Sequence, residues 1–205
     1  MIKKKMFKLI YENTKTLLGA LIIAILIRSL LFQPFYIPSS SMEPTLLVGD
    51  RIFVSKYIYG YSKHSFPFSL NIFNGRIISK EPQRGDLVVF KTPADNRTDY
   101  IKRLIGLPGD TIQFINGNLL INEKLINRKK TKIKNMIRCG NFNLDINSFI
   151  ETLPNGVEHL AVYKKKGSLQ NTKKFIIPMN HYFLLGDNRD CSKDSRYLDS
   201  VGYVN

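Results

Sequence analysis

The segment Ile37-Pro38-Ser39-Ser40-Ser41-Met42-Glu43-Pro44-Thr45-Leu46 sets three hydroxyls between two prolines. Proline fixes φ and pushes the residue before it out of the helical region, so the stretch reads as a rigid turn. Such a turn can present a serine beside exposed backbone N–H groups, the start of a nucleophilic site; an ordinary serine-rich linker looks the same. A serine nucleophile needs a base. The three histidines, His64, His159 and His181, lie in no recognisable motif, and His181 beside Tyr182-Phe183 reads as structural. The other base available is a lysine kept neutral by burial. Tyr100-Ile101-Lys102-Arg103-Leu104-Ile105 is an apolar strand carrying two adjacent cations. Strand side chains alternate faces, so Lys102 and Arg103 point opposite ways. If both faces are covered, one cation meets apolar surface; arginine keeps its proton and lysine can lose it, which makes Lys102 the candidate base. In a one-sided sheet, one cation would face solvent and the other would snorkel. The third stretch, Gly186–Arg196 (GDNRDCSKDSR), packs three Asp, two Arg and two Ser into eleven residues. It lacks the central Gly and closing Glu of a calcium loop, and suits either an internal salt-bridge network or a polar turn.

These residues need elements to hold them. The chain starts basic, MIKKKMFK, and apolar residues dominate from Thr16 to Phe32. Seventeen residues at 1.5 Å rise reach about 25 Å, close to a bilayer core, with Arg28 placed to snorkel near the far end. Lys3, Lys4, Lys5 and Lys8 keep the N-terminus cytoplasmic under the positive-inside rule. A cleaved signal peptide shares the basic start and apolar run, but the bulky Phe32-Gln33-Pro34-Phe35-Tyr36 suits a cleavage site poorly. The expected organisation is a basic N-terminus over 1–15, a transmembrane anchor over 16–33 and an extracytoplasmic domain over 34–205.

Past the anchor, Gly, Pro, Asn and Asp punctuate short β-branched and aromatic runs. Strands are expected at Arg51–Tyr59, Asp86–Lys91, Tyr100–Leu107, Val157–Lys164 and His181–Leu185. Asn116-Gly117, between the apolar runs of Thr111–Asn122, predicts a type I′ hairpin. Residues 62–80 read as a loop excursion. From about 124 to 174 the composition turns to Lys and Asn, which reads as an insertion or β-ribbon. The formal net charge is +15. Such an excess suits lipid or nucleic acid, or is compositional; the basic run 124–138 lacks the aromatic interleaving of an RNA surface and reads as a solvated face. Two cysteines and no Cys/His cluster exclude a disulfide scaffold and a zinc module.

Together, PSSSMEPTLLVGD (Pro38–Asp50), RGDLVVFK (Arg84–Lys91), YIKRLIGLPGD (Tyr100–Asp110) and GDNRDCSKDSR resemble the boxes of bacterial type I signal peptidase, in order and spacing. The resemblance implies a mainly β fold: a single transmembrane helix, then an all-β protease body with a β-ribbon insertion. It implies a membrane serine endopeptidase that removes signal peptides after small residues (Ala-X-Ala). Ser41 would be the nucleophile and Lys102 its general base. The Ser41 N–H and Ser39 hydroxyl would hold the oxyanion, Ser192 would orient the base, and Asp194 and Arg196 would support it. Phe35, Ile37, Leu46 and Ile101 would line the −1 and −3 pockets. The implied partners are signal peptides of secreted precursors and membrane lipid, with no nucleic acid, no metal and no organic cofactor. The implied location is the bacterial inner (plasma) membrane, single-pass, with the catalytic domain periplasmic. Ser41 lies nine residues beyond Phe32, at most about 30 Å of extended chain, so the nucleophile would work near the outer bilayer surface.

Three departures stand out. Ser40 replaces the glycine common in the serine box. Cys191 replaces the usual asparagine, with Cys139 in the insertion its one possible partner, and no disulfide is expected. The sequence ends at Asn205, where relatives continue through further strand, and a lost strand would expose a sheet edge. A dedicated processing peptidase for one partner, or a shortened signal-peptide-binding paralogue without turnover, fits the same residues. The oligomeric state is left open.

Overall fold

A computed structural model of the chain describes residues 2–62, 65–66, 75–133, 136–166 and 170–205. Of the 62–80 excursion, residues 63–64 and 67–74 lie outside the described residues, His64 among them. The chain falls into two units, Met1–Phe35 with Arg51–Glu81, and Tyr36–Asp50 with Pro82–Asn205.

The first unit is built on helix α1, Ile2–Leu30. It starts well before the apolar run and ends two residues before Phe32, which already belongs to strand β1, Phe32–Tyr36. Its apolar side chains are exposed along its length, and its stretch Lys3–Leu30 is long and apolar enough to cross a membrane. A helix that is apolar around its circumference needs lipid or protein around it. The Tyr61 hydroxyl donates to Leu30 O at 2.8 Å, and the Lys56 amide to Leu31 O at 2.9 Å, meeting carbonyls that the helix end leaves without partners. Strand β2, Arg51–Ser55, pairs with β1, and the short β3, Tyr61–Ser62, pairs with β4, Arg76–Ile77. Strand β2 stops short of the Tyr59 expected from its apolar pattern.

In the second unit, β5 (Leu87–Lys91) and β6 (Asp99–Gly106) form an antiparallel pair that places Val88 opposite Lys102. The Asn116-Gly117 turn joins β7 (Thr111–Ile115) to β8 (Asn118–Ile121), with positive φ of 48° and 72°, as a type I′ turn requires. Strands β9 (Lys124–Leu125), β10 (Asn127–Thr131), β11 (Arg138–Cys139), β12 (Phe142–Asn143), β13 (Ile146–Thr152) and β14 (Glu158–Lys164) follow. Strands β15 (Phe175–Ile176) and β16 (Phe183–Leu185) complete the set. The sheets run β15-β7-β8-β9, β16-β6-β5 and β10-β13-β14, with β11-β12 a separate hairpin. The protein is thus mainly β behind one N-terminal apolar helix.

Alternation along β6 sends its side chains into two apolar clusters. Ile105 joins the larger core with Ile112, Phe114, Leu119 and Phe183. Tyr100, on the other face, packs with Leu184, Val201 and Val204. Val204 also exchanges two backbone hydrogen bonds with Tyr182, so residues 201–204 lie beside β16. Both faces of β6 are therefore covered.

The two cysteines correct the expectation of free thiols: Cys139 and Cys191 form a disulfide across 52 residues. The spacing pattern could not reveal it, because the partners meet only once the insertion folds back. Closing a loop of that size restricts the unfolded chain by about 4 kcal/mol on the entropic account.

A buried polar cluster binds the β13–β14 ribbon to the last box. Arg189, 1% exposed, donates to both carboxylate oxygens of Glu151 and to the Tyr163 hydroxyl, which itself donates to Glu151 at 2.6 Å. His159 Nδ1 lies 3.2 Å from Glu151 O and Nε2 3.2 Å from the Arg189 guanidinium. That arrangement suits a neutral ring protonated on Nδ1. Burial, reinforced by Arg189, pushes the His159 pKa down to about 4. The unfolded chain then binds a proton near pH 6.5 that the folded chain refuses until about 4, so stability is lost as pH falls through that window. We expect unfolding free energy to drop by about 3 kcal/mol from pH 7 to 4, with most of that slope gone in His159→Gln, measured by denaturant titration in detergent.

Candidate active site

The nucleophile candidate sits in a single 3-10 turn, Ser40–Met42, whose three residues are all buried. Extended backbone at Ser39 and Glu43 bounds the turn, and the Glu43-Pro44 peptide is cis. The Glu43 amide donates to Ser40 O at 3.1 Å and the Leu46 amide to Met42 O at 3.0 Å, so the segment is hydrogen-bonded within itself. It is also gripped from the last box. The Asn188 amide donates to Ser41 O at 3.1 Å, and the Asn188 side-chain NH2 donates to Ser40 O at 3.1 Å.

Lys102 Nζ lies 2.6 Å from Ser41 Oγ, with Lys102 only 4% exposed and Ser41 7%. The covered faces of β6 explain the burial, and the Tyr100 ring stands beside the ammonium at 5.4 Å. Desolvation pushes the Lys102 pKa down to about 8. Asp194 and Asp187 pull it back up, while Arg196 pushes the same way as burial. Desolvation prevails, because each nearby carboxylate is already engaged by an arginine. Arg103, on the opposite face, makes a two-pronged pair with Asp187 at 2.8 and 2.7 Å and donates to Gly85 O. Asp187 also accepts from the Thr45 hydroxyl at 2.5 Å, tying the serine segment to the strand that carries Lys102. Asp194 is paired with Arg196 at 2.8 and 2.9 Å and accepts the Gly186 amide at 3.0 Å. Arg196 donates in turn to Arg189 O.

The remaining expected residues are placed unevenly. Ser39 Oγ is 3.4 Å from Ser41 Oγ, beside the candidate nucleophile. Ser192 Oγ is buried with no hydrogen-bond partner among the described residues; it does not make the bond to Lys102 that the resemblance implies. It stands close by nonetheless: a Cβ built on Gly186 would come 2.2 Å from Ser192 Oγ and 2.5 Å from Ser41 O. Ile37 and Leu46 flank the serine turn, Ile101 precedes Lys102 on β6, and Phe35 belongs to the first unit. Asp187 and Asn188 carry no individual signal in the sequence beyond the charge network or polar turn expected of their loop. Their partners are 84 and 148 residues away, and no local pattern announces such a contact. Among the described residues, no group of three His, Cys, Asp or Glu side chains is arranged to hold a metal ion.

The family described as "Signal peptidase, peptidase S26" matches residues 10–205. The chain is 44% identical to signal peptidase I of Rickettsia prowazekii over 192 residues, covering 89% of this chain and 70% of that one. It is 40% identical to the Rickettsia bellii protein of the same name over 203 residues, covering 94% and 68%. The crystal structure of a signal peptidase I from Enterococcus faecalis overlays at a TM-score of 0.33 with 30% identity, over 60% of this chain and 90% of that one.

Gly186 has no room for a side chain between Ser192 and Ser41. Gly186→Ala is expected to cost about 1–3 kcal/mol in denaturant unfolding. A crystal structure of the variant should show Ser41 Oγ and Lys102 Nζ moved beyond 3.5 Å, the limit of hydrogen-bond reach.

Proposed function

The chain belongs to the peptidase S26 family of signal peptidases, and from that premise we propose that it is a membrane-anchored serine endopeptidase working through a Ser41/Lys102 dyad. The observation that carries this reading is the buried 2.6 Å contact between the two side chains, with the lysine pushed down to about 8. With that value, roughly a quarter of the molecules hold Lys102 neutral at pH 7.5, enough to supply a base at working pH. Neutral Lys102 takes the Ser41 proton as Oγ attacks the scissile carbonyl, then gives it to the leaving amine. It next activates the water that releases the acyl group from Ser41. The oxyanion would be held by the Ser41 N–H and the Ser39 hydroxyl, a reading supported by the 3.4 Å separation of Ser39 Oγ from Ser41 Oγ. Asp194, locked by Arg196, holds the loop that carries Ser192, whose hydroxyl has no hydrogen-bond partner among the described residues.

Ile37, Leu46 and Ile101, all in the second unit, would line small apolar pockets that suit Ala-X-Ala, because larger residues at −1 and −3 would clash. The substrate is the signal peptide of a secreted precursor. The basic residues before the apolar run support an N-terminus in the cytoplasm and a site outside the inner membrane. The Cys139–Cys191 disulfide favours the same placement, since such bonds persist in oxidising compartments. The formed dyad favours turnover over a non-catalytic binder. A dedicated peptidase would share this chemistry and would leave most of a panel of generic precursors uncut.

Ser41→Ala and Lys102→Ala are each expected to lower cleavage of a standard precursor by at least ~10³-fold while circular dichroism shows the fold intact. Residual turnover near wild type in either would end the dyad reading. Because the neutral lysine is the active form, kcat/KM should rise with pH and level off above about 8. An unchanged rate down to pH 6 would contradict it.

A further inference from the structure

Strand β11 is only Arg138–Cys139, yet both of its residues reach the catalytic segments. The Arg138 amide donates to Glu43 Oε2 at 2.9 Å, and Glu43, 1% exposed, lies two residues after Ser41. Arg138 O accepts from the Asn188 side chain at 3.0 Å, the same NH2 group that holds Ser40 O. Cys139 is bonded to Cys191, the residue before Ser192, and Cys191 Sγ lies 3.7 Å from Ser40 Oγ. A staple serving stability alone could sit anywhere in the unit. These three contacts instead converge on the two segments flanking the nucleophile, which approach β11 from opposite ends of the sequence.

We infer that β11 is a strut that holds the Ser40–Met42 turn against Lys102, with Glu43 and the Cys139–Cys191 disulfide as its positioning contacts. The inference rests on the serine-peptidase reading above. Neither Glu43 nor the disulfide touches the reacting atoms. Each acts through the turn, whose misplacement by about 1 Å would cost on the order of a hundredfold in rate. The insertion thereby becomes part of the catalytic frame rather than a passive excursion, and a reductant that opens the disulfide loosens the nucleophile.

The test uses the full chain in detergent, well below its unfolding midpoint. The double variant Cys139→Ser/Cys191→Ser and Glu43→Ala are each compared with wild type on a signal-peptide-bearing precursor. We expect kcat to fall by about tenfold or more in each, with KM unchanged within about twofold. Glu43→Gln, which keeps an acceptor for the Arg138 amide, recovers most of that loss. Hydrogen exchange of the Glu43 and Leu46 amides should speed up by about tenfold in the first two variants, while the β13–β14 amides stay unchanged. Unchanged exchange at Glu43 and Leu46, or an unchanged kcat in the folded variants, overturns the strut. If wild type cleaves no precursor, the peptidase reading fails on its own, and the exchange data still decide whether β11 holds the turn.

Discussion

Burying a lysine disfavours its charged form, and the arrangement around Lys102 follows from how this fold buries it. Lys102 sits on a strand whose two faces both meet apolar clusters, one around Phe114 and Phe183, the other around Leu184, Val201 and Val204. Covering both faces also buries its neighbour Arg103, which cannot shed its charge. Asp187 answers that charge with a two-pronged pair and then reaches Thr45 on the serine segment. The need to neutralise one buried cation thus brings the serine segment to the other. Asp194 is likewise matched by Arg196, which limits how far the nearby carboxylates can restore the lysine's charge.

Much of this was legible in the residues because the information is local. Asn116-Gly117 specifies its turn through its own φ preferences, and the paired prolines around the three serines exclude helix through theirs. The adjacent Lys102 and Arg103 posed a choice that one sequence cannot settle, covered sheet or open sheet, since the covering residues come from 201–204 and from other strands. The same limit hid Asp187 and Asn188 as individuals, the Arg189–Glu151 pair and the Cys139–Cys191 disulfide. Each joins residues far apart in the chain, and their types alone allow several partners. Helix α1 extends beyond the apolar run for a different reason: hydropathy marks the part that suits lipid, whereas the basic first residues of Ile2–Leu30 continue the helix without being apolar.

The insertion supplies buried contacts as well as solvated surface. Its composition reads as solvated surface, and many of its lysines do face outward. Its ribbon, however, carries Glu151, His159 and Tyr163 into a buried cluster around Arg189. Its short strand β11 bonds to both the serine segment and the Gly186–Arg196 loop. The second unit is therefore held together across the site from three directions: the lysine strand, the ribbon and residues 201–204.

The account turns on the charge state of one side chain, and an NMR titration of selectively labelled lysine, with Lys102→Arg to assign the resonance, reads it directly. A Lys102 midpoint near 8 is the predicted result. A midpoint at the ordinary lysine value of about 10.5 would show a solvated ammonium, and would contradict the claim that burial creates the base.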